Sequence, residues 1–119
     1  MLDTSNFESE EEFTSYHIQK MSGLAKTFAK NKSERIYLEQ YRKVVRAQLS
    51  NEASKQGIKA AAQQTIYAES HPKYHQVILA LKYATEAETS SYWELESLKI
   101  MFEHWRTKRA DYRSAMNMK

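Results

Sequence analysis

Between Pro72 and about Met116 the apolar residues of this chain recur every three or four positions without a break. With Tyr74 at heptad position a, the stripe reads Tyr74, Val77, Leu81, Ala84, Glu88, Ser91, Leu95, Leu98, Phe102, Trp105, Arg109, Tyr112. Nine of the twelve are apolar or aromatic and no Gly or Pro follows Pro72, so the pattern predicts one helix over 72–116. At about 1.5 Å per residue it would extend roughly 65 Å and would need apolar partners along its length. Glu88 and Ser91 interrupt the stripe, and polar groups at such positions cost stability while fixing register or oligomer state.

Two earlier segments supply the partners. Ser9 and Glu12 have capping-box spacing, so a first, shorter helix is expected from about Glu10 to Lys30. Its stripe would be Phe13, Tyr16 or His17, Met21, Leu24 and Phe28, with Gly23 costing about 1 kcal/mol relative to alanine. Asn31 and Glu34 repeat the capping-box spacing and predict a break or kink. The pattern resumes with Leu38, Tyr41, Val45, Leu49 and Glu52, flanked by Ile36, Tyr37 and Val44, and predicts helix through most of 33–69. Gly57 is its weakest point, either an end or a tolerated interior glycine. Ser70-His71-Pro72 is a stop-and-start signal, since proline disfavours helix at the residue before it and suits a first helical turn. The expected fold is all-α: a long antiparallel helical hairpin with a shorter N-terminal helix, in a single domain over 1–119 with an acidic, mobile segment at 1–9.

Composition supports this class. Two glycines and one proline are too few for the turns of a sheet domain of 119 residues. No run approaches the roughly 18 apolar residues of a membrane span, and the acidic N-terminus lacks the basic and apolar regions of a signal peptide. With no cysteine there is neither a disulfide nor a thiolate metal site, which suits a cytoplasmic location.

The net charge of +3 is modest but unevenly spread. Residues 1–12 hold five acids and no base; residues 20–46 hold eight bases against Glu34 and Glu39; residues 99–119 hold six bases against Glu103 and Asp111. An acidic segment with two basic ones suggests a polyanion-binding surface and an internal competitor for it. Lys32, Arg35, Arg42, Lys43 and Arg46 mix with Tyr37 and Tyr41, as phosphate-neutralising cations beside rings that can stack on unpaired bases. Arg106, Lys108, Arg109 and Arg113 repeat the combination beside Trp105 and Tyr112. Against this, Tyr41, Trp105 and Tyr112 lie on apolar stripes and are expected to pack in a core rather than on bases.

No reaction chemistry emerges. His71 and His75 have the spacing of a metal pair, but no Cys or placed acid completes a site, and His71 precedes Pro72. Glu86 with Glu88, and Glu94 with Glu96, are two apart and point to different faces of a helix. There is no phosphate loop or nucleophile motif. The chain is expected not to be an enzyme, and no cofactor is implied.

Val45-Arg46-Ala47-Gln48-Leu49, within a basic helical segment, resembles the Leu-Lys-Ala-Arg-Leu segment of the UvsY recombination mediators of tailed phages. Arg46 matches the first basic residue of that segment, which is tied to DNA binding in the family; Gln48 stands at the second, and Ser50, Asn51 and Glu52 stand where aromatics follow. A basic helix, a turn and a long helix with Tyr92-Trp93 midway extend the resemblance over about 25–115. It implies a mostly helical ring-forming protein that binds single-stranded DNA and helps load a recombinase onto strands coated by single-strand-binding protein, in the host cytoplasm if phage-encoded. On that reading Arg42, Lys43 and Arg46 contact phosphates, Lys32 and Arg35 extend the track, and Arg106, Lys108, Arg109 and Arg113 form a second patch. The alternative is a helical assembly or adaptor module that binds protein and no nucleic acid. Either implies a homo-oligomer, since Tyr83, Tyr92, Trp93 and Met101 lie off the stripe and leave a second contact surface.

Overall fold

The structure, a computed structural model, describes residues 10–118; Ser9 and the acidic segment expected at 1–9 lie outside the described residues. The fold is all-α, with three helices, α1 (Glu10–Lys55), α2 (Ala61–Ser70) and α3 (Pro72–Asn117), and no strand among the described residues. None of them is long and apolar enough to cross a membrane.

In α3 the heptad stripe is the buried face. Tyr74, Val77, Ser91, Leu95 and Leu98 are buried, and Leu81, Ala84, Glu88, Phe102, Trp105 and Arg109 are half-buried; only Tyr112 of the twelve is exposed. Off the stripe, Tyr83, Tyr92 and Trp93 are exposed as expected, while Met101 is half-buried.

The first part of the chain departs from expectation. No break occurs at Asn31, and the separate shorter helix expected over 10–30 is the beginning of an uninterrupted α1 of 46 residues. The reason lies in spacing. Residues His17, Met21, Leu24, Phe28, Asn31, Arg35, Leu38, Arg42, Val45 and Leu49 alternate steps of four and three, and all are buried or half-buried. Asn31 and Arg35 continue the inward stripe as polar members, so the heptad never loses phase. His17 takes the inward position rather than Tyr16, which is exposed.

Gly57 ends α1. Its φ of +94° places it in left-handed backbone that favours glycine. Ile58 N–H donates to the Ala53 carbonyl (3.0 Å) and Gly57 N–H to Ser54 (3.1 Å), which is the Schellman arrangement closing the last turn. After 56–60, α2 packs through the buried Ala68. His71 is extended (φ −72°, ψ 138°), as its place before Pro72 demands. Its Nδ1 accepts from Lys73 N–H at 3.1 Å, so the ring caps the start of α3.

The residues fall into two compact units. The central unit is Ala29–Thr89. In it the later part of α1 runs antiparallel to the start of α3, shown by Asn31 meeting Ala87 and Arg42 meeting Tyr74. Its apolar core is Val45, Leu49, Ala68, Tyr74 and Val77, with Tyr41 packed against it. The terminal unit joins the described residues up to Phe28 with those from Ser90 on. It too is antiparallel: Glu10 meets Arg113, Phe13 meets Trp105, His17 meets Leu98 and Phe28 meets Tyr92.

Candidate nucleic-acid interface

The charge divides with the units. Residues 29–89 contain ten Lys and Arg against six Asp and Glu, a net +4, whereas residues 1–28 and 90–119 contain eight against nine, a net −1. The nine candidate cations therefore sit in two electrostatic settings.

In the central unit, Arg35 is already committed. Its guanidinium makes two hydrogen bonds to the Glu88 carboxylate, through Nε and at 3.1 Å through a terminal nitrogen, and reaches Glu39 at 3.1 Å. Hydrogen bonding from Arg35, helped by the charge of Lys32, holds the Glu88 carboxyl below the usual carboxylate range, against the opposing effect of its burial. The same bonds push the Arg35 guanidinium up, first through Glu88 and then Glu39. Glu88, which interrupts the apolar stripe of α3, thus faces Arg35, a polar member of the α1 stripe, as one ion pair. Beside it, Asn31 donates its side-chain amide to the Ala87 carbonyl at 3.2 Å.

Arg42 is half-buried and donates to the Tyr74 hydroxyl at 3.3 Å, and Arg46 lies 3.7 Å from Glu69. Lys32 and Lys43 are exposed and make no ion pair within 4 Å among the described residues. Eleven residues apart, they are close to three helical turns, so they lie nearly in line about 16 Å apart along α1. Arg46 is one turn further on the same flank.

Tyr37 and Tyr41 do not join this line. At about 100° per residue they lie roughly 120–180° around the helix from Lys32 and Lys43, on the other side of the buried stripe. Tyr41 packs on the core, and Tyr37, a residue 60% exposed, stacks on it at 5.9 Å. The exposed Lys32 and Lys43 and the two rings are therefore sorted onto opposite flanks, with Arg35 and Arg42 on the stripe between them.

In the terminal unit the cations are largely answered by carboxylates. Glu10 pairs with both Arg109 (3.3 Å) and Arg113. Arg106 pairs with Glu103 at 3.1 Å and lies over the Phe102 ring, and Arg109 lies over Tyr112. Lys108 is exposed. Trp105 faces inward against Phe13, with ring centroids 4.2 Å apart, so it serves the core.

Sequence reasoning left one inward position open between Tyr16 and His17, and the structure gives it to His17. It is fully buried, its Nε2–H donates to the Leu98 carbonyl at 3.0 Å, and its ring stacks on Phe102 at 4.5 Å. Its Nδ1 has no partner among the described residues. Burial pushes its pKa below 6.5, more strongly than the Leu98 carbonyl raises it, and Lys20 adds to the lowering. The signal was available: His17 sits four residues before Met21, in step with the stripe, whereas Tyr16 does not.

No protein-family model, curated protein or solved structure matches the chain.

Proposed function

We propose that the chain is a non-enzymatic helical protein of the phage recombination-mediator kind, binding single-stranded DNA through phosphate contacts without reading sequence. The observation that carries this is the +4 charge of residues 29–89 together with Lys32 and Lys43 exposed in line along α1. Unpaired lysines release counterions on meeting phosphates at little cost, since no internal ion pair has to break. Arg46 extends the line at the cost of its long contact to Glu69, and Arg42 at the cost of the Tyr74 bond. Arg35 would contribute least, because Glu88 and Glu39 hold it. Rings play a small part, with Tyr37 on the far flank. Homo-oligomerisation, and delivery of a recombinase to strands coated by single-strand-binding protein, complete the proposal.

Binding of a labelled oligothymidylate, followed by anisotropy over a salt series, tests it. Each lost phosphate contact lowers the slope of log K against log salt by about 0.7, so Lys32→Ala with Lys43→Ala should lower it by about 1.4 and weaken binding. An unchanged slope in the double variant refutes the site assignment.

A second reading is supported by the apolar groups exposed on α3 of the terminal unit, Trp93 (60%) and Ile100 (66%). A helical assembly or adaptor module would expose such groups for a protein partner. It would pass through a single-stranded DNA column at low salt while still forming a defined oligomer.

A further inference from the structure

The acidic start of α1 and the basic end of α3 meet in one contact, and its composition is that of an occupied anion site. Glu10 lies in the first turn of α1, where the helix dipole also favours a carboxylate. One of its carboxylate oxygens takes Arg109 at 3.3 Å and the other takes Arg113. Arg109 and Arg113 are four apart on α3, so both guanidinium groups reach the same side of the helix. They border a groove of about 420 Å³ whose walls include Thr14, Trp105 and Arg106. Arg109 still has donor capacity to spare, because its Nε–H is buried and meets no acceptor among the described residues.

From this we infer that Arg109 and Arg113 form a phosphate-binding site that the chain's own Glu10 occupies, so that Glu10 acts as a displaceable gate over the second basic patch. A carboxylate bridging two guanidinium groups, one oxygen to each, presents two oxygens in the positions that two oxygens of a phosphate would take. The contact is also weak enough to yield. Its side chains are 39%, 41% and 59% exposed for Glu10, Arg109 and Arg113, and exposed pairs of this kind hold by only a few-fold in equilibrium constant. A phosphate carries more charge than the carboxylate and brings its neighbours on a polyanion with it, so it competes favourably. The gate therefore stays shut to isolated weak anions and opens to a chain of phosphates. The ligand's identity as single-stranded DNA rests on the reading above, while inorganic polyphosphate offers the same chemistry from another source.

Both are measured against the same variants: an oligothymidylate by anisotropy and inorganic tripolyphosphate by calorimetry. Glu10→Gln removes the competing charge and should tighten both ligands roughly two- to fivefold, the range of an exposed ion pair. For the oligothymidylate it should also steepen the salt slope by up to about 1.4, as two more cations become available. Glu11→Gln removes the same charge from the same turn and should change neither. In Arg109→Ala with Arg113→Ala, adding Glu10→Gln should have no effect, while an unchanged helical circular dichroism signal shows the unit intact. If tripolyphosphate tightens but no variant binds the oligothymidylate, the gate stands and the single-stranded DNA reading falls. The gate is overturned if Glu10→Gln tightens neither ligand, if Glu11→Gln tightens them equally, or if neither ligand binds any variant.

Discussion

His17 makes the stability of the terminal unit depend on pH in a way that can be worked out beforehand. The ring is fully buried between Phe102 and Phe13, with one nitrogen donating to Leu98 and the other without a partner. Protonation would place a second N–H, and a charge, where no acceptor exists. The charge acting on it is that of Lys20, which opposes protonation, and the α3 side chain stacked on it is the Phe102 ring. The folded pKa therefore lies below the unfolded value of 6.5. For a group shifted in that direction, the stabilisation is fully present above pH 6.5 and is lost as the pH falls through the folded value. If the folded ring stays neutral throughout, lowering the pH from 7.5 to 5.5 stabilises the unfolded chain alone by about 1.4 kcal/mol, roughly 5 °C in Tm. His17→Phe should remove this dependence. At pH 7.5 it loses a hydrogen bond of about 1 kcal/mol but also an unpartnered buried nitrogen that costs about 1–3 kcal/mol, so stability should hold or rise slightly. Urea unfolding monitored by fluorescence, with Trp105 beside Phe13 as the local probe, gives both quantities. The other three histidines are common to both proteins and cancel in the difference. Parallel stability–pH curves for the two proteins would refute the reasoning.

The two glycines should respond in opposite directions to alanine. Gly57→Ala should destabilise by about 1–2 kcal/mol, because φ is +94° while an added Cβ meets nothing within 4 Å, so the cost is backbone alone. Gly23→Ala should stabilise by about 0.5–1 kcal/mol, since its Cβ likewise meets nothing and the backbone is helical; urea midpoints measure both. The carboxyl of Glu88 is held below its usual range by Arg35, so its contribution is present at neutral pH and is lost as the pH falls through that lowered value. Glu88→Gln should lower Tm at pH 7 and flatten the acid limb of the stability curve, measured by thermal melts from pH 7 to pH 3.

The fold class, the face of α3 that is buried and the turn at Pro72 were legible because each follows from local chemistry: the heptad stripe, the scarcity of turn residues and the backbone limits proline imposes. What misled at Asn31 was the capping-box spacing to Glu34, a local signal that the continuing heptad overrides. Asn31 and Arg35 keep the spacing but not the hydropathy, and only the facing residues Ala87 and Glu88 make them tolerable there. Such pairing across more than fifty residues leaves no mark on the local pattern. The candidate cations were legible by type, but their state was not. Sequence alone could not separate the exposed Lys32 and Lys43 from Arg35, nor show that Tyr37 and Tyr41 turn to the opposite flank.

The Arg35–Glu88 pair also constrains how the length of this protein can vary. A seven-residue deletion in the central unit leaves an apolar stripe nearly unchanged, because one leucine or valine layer substitutes for another. It does not leave the ion pair unchanged. Removing one heptad from α1 after Arg35 alone moves the connection relative to α3 and leaves Arg35 opposite an apolar layer, with Glu88 stranded. Removing a heptad from each helix on the same side of the pair, residues 39–45 and 78–84 for example, restores the match. Length in this unit therefore changes in paired quanta of seven, and relatives of different size should differ by matched deletions on the two helices.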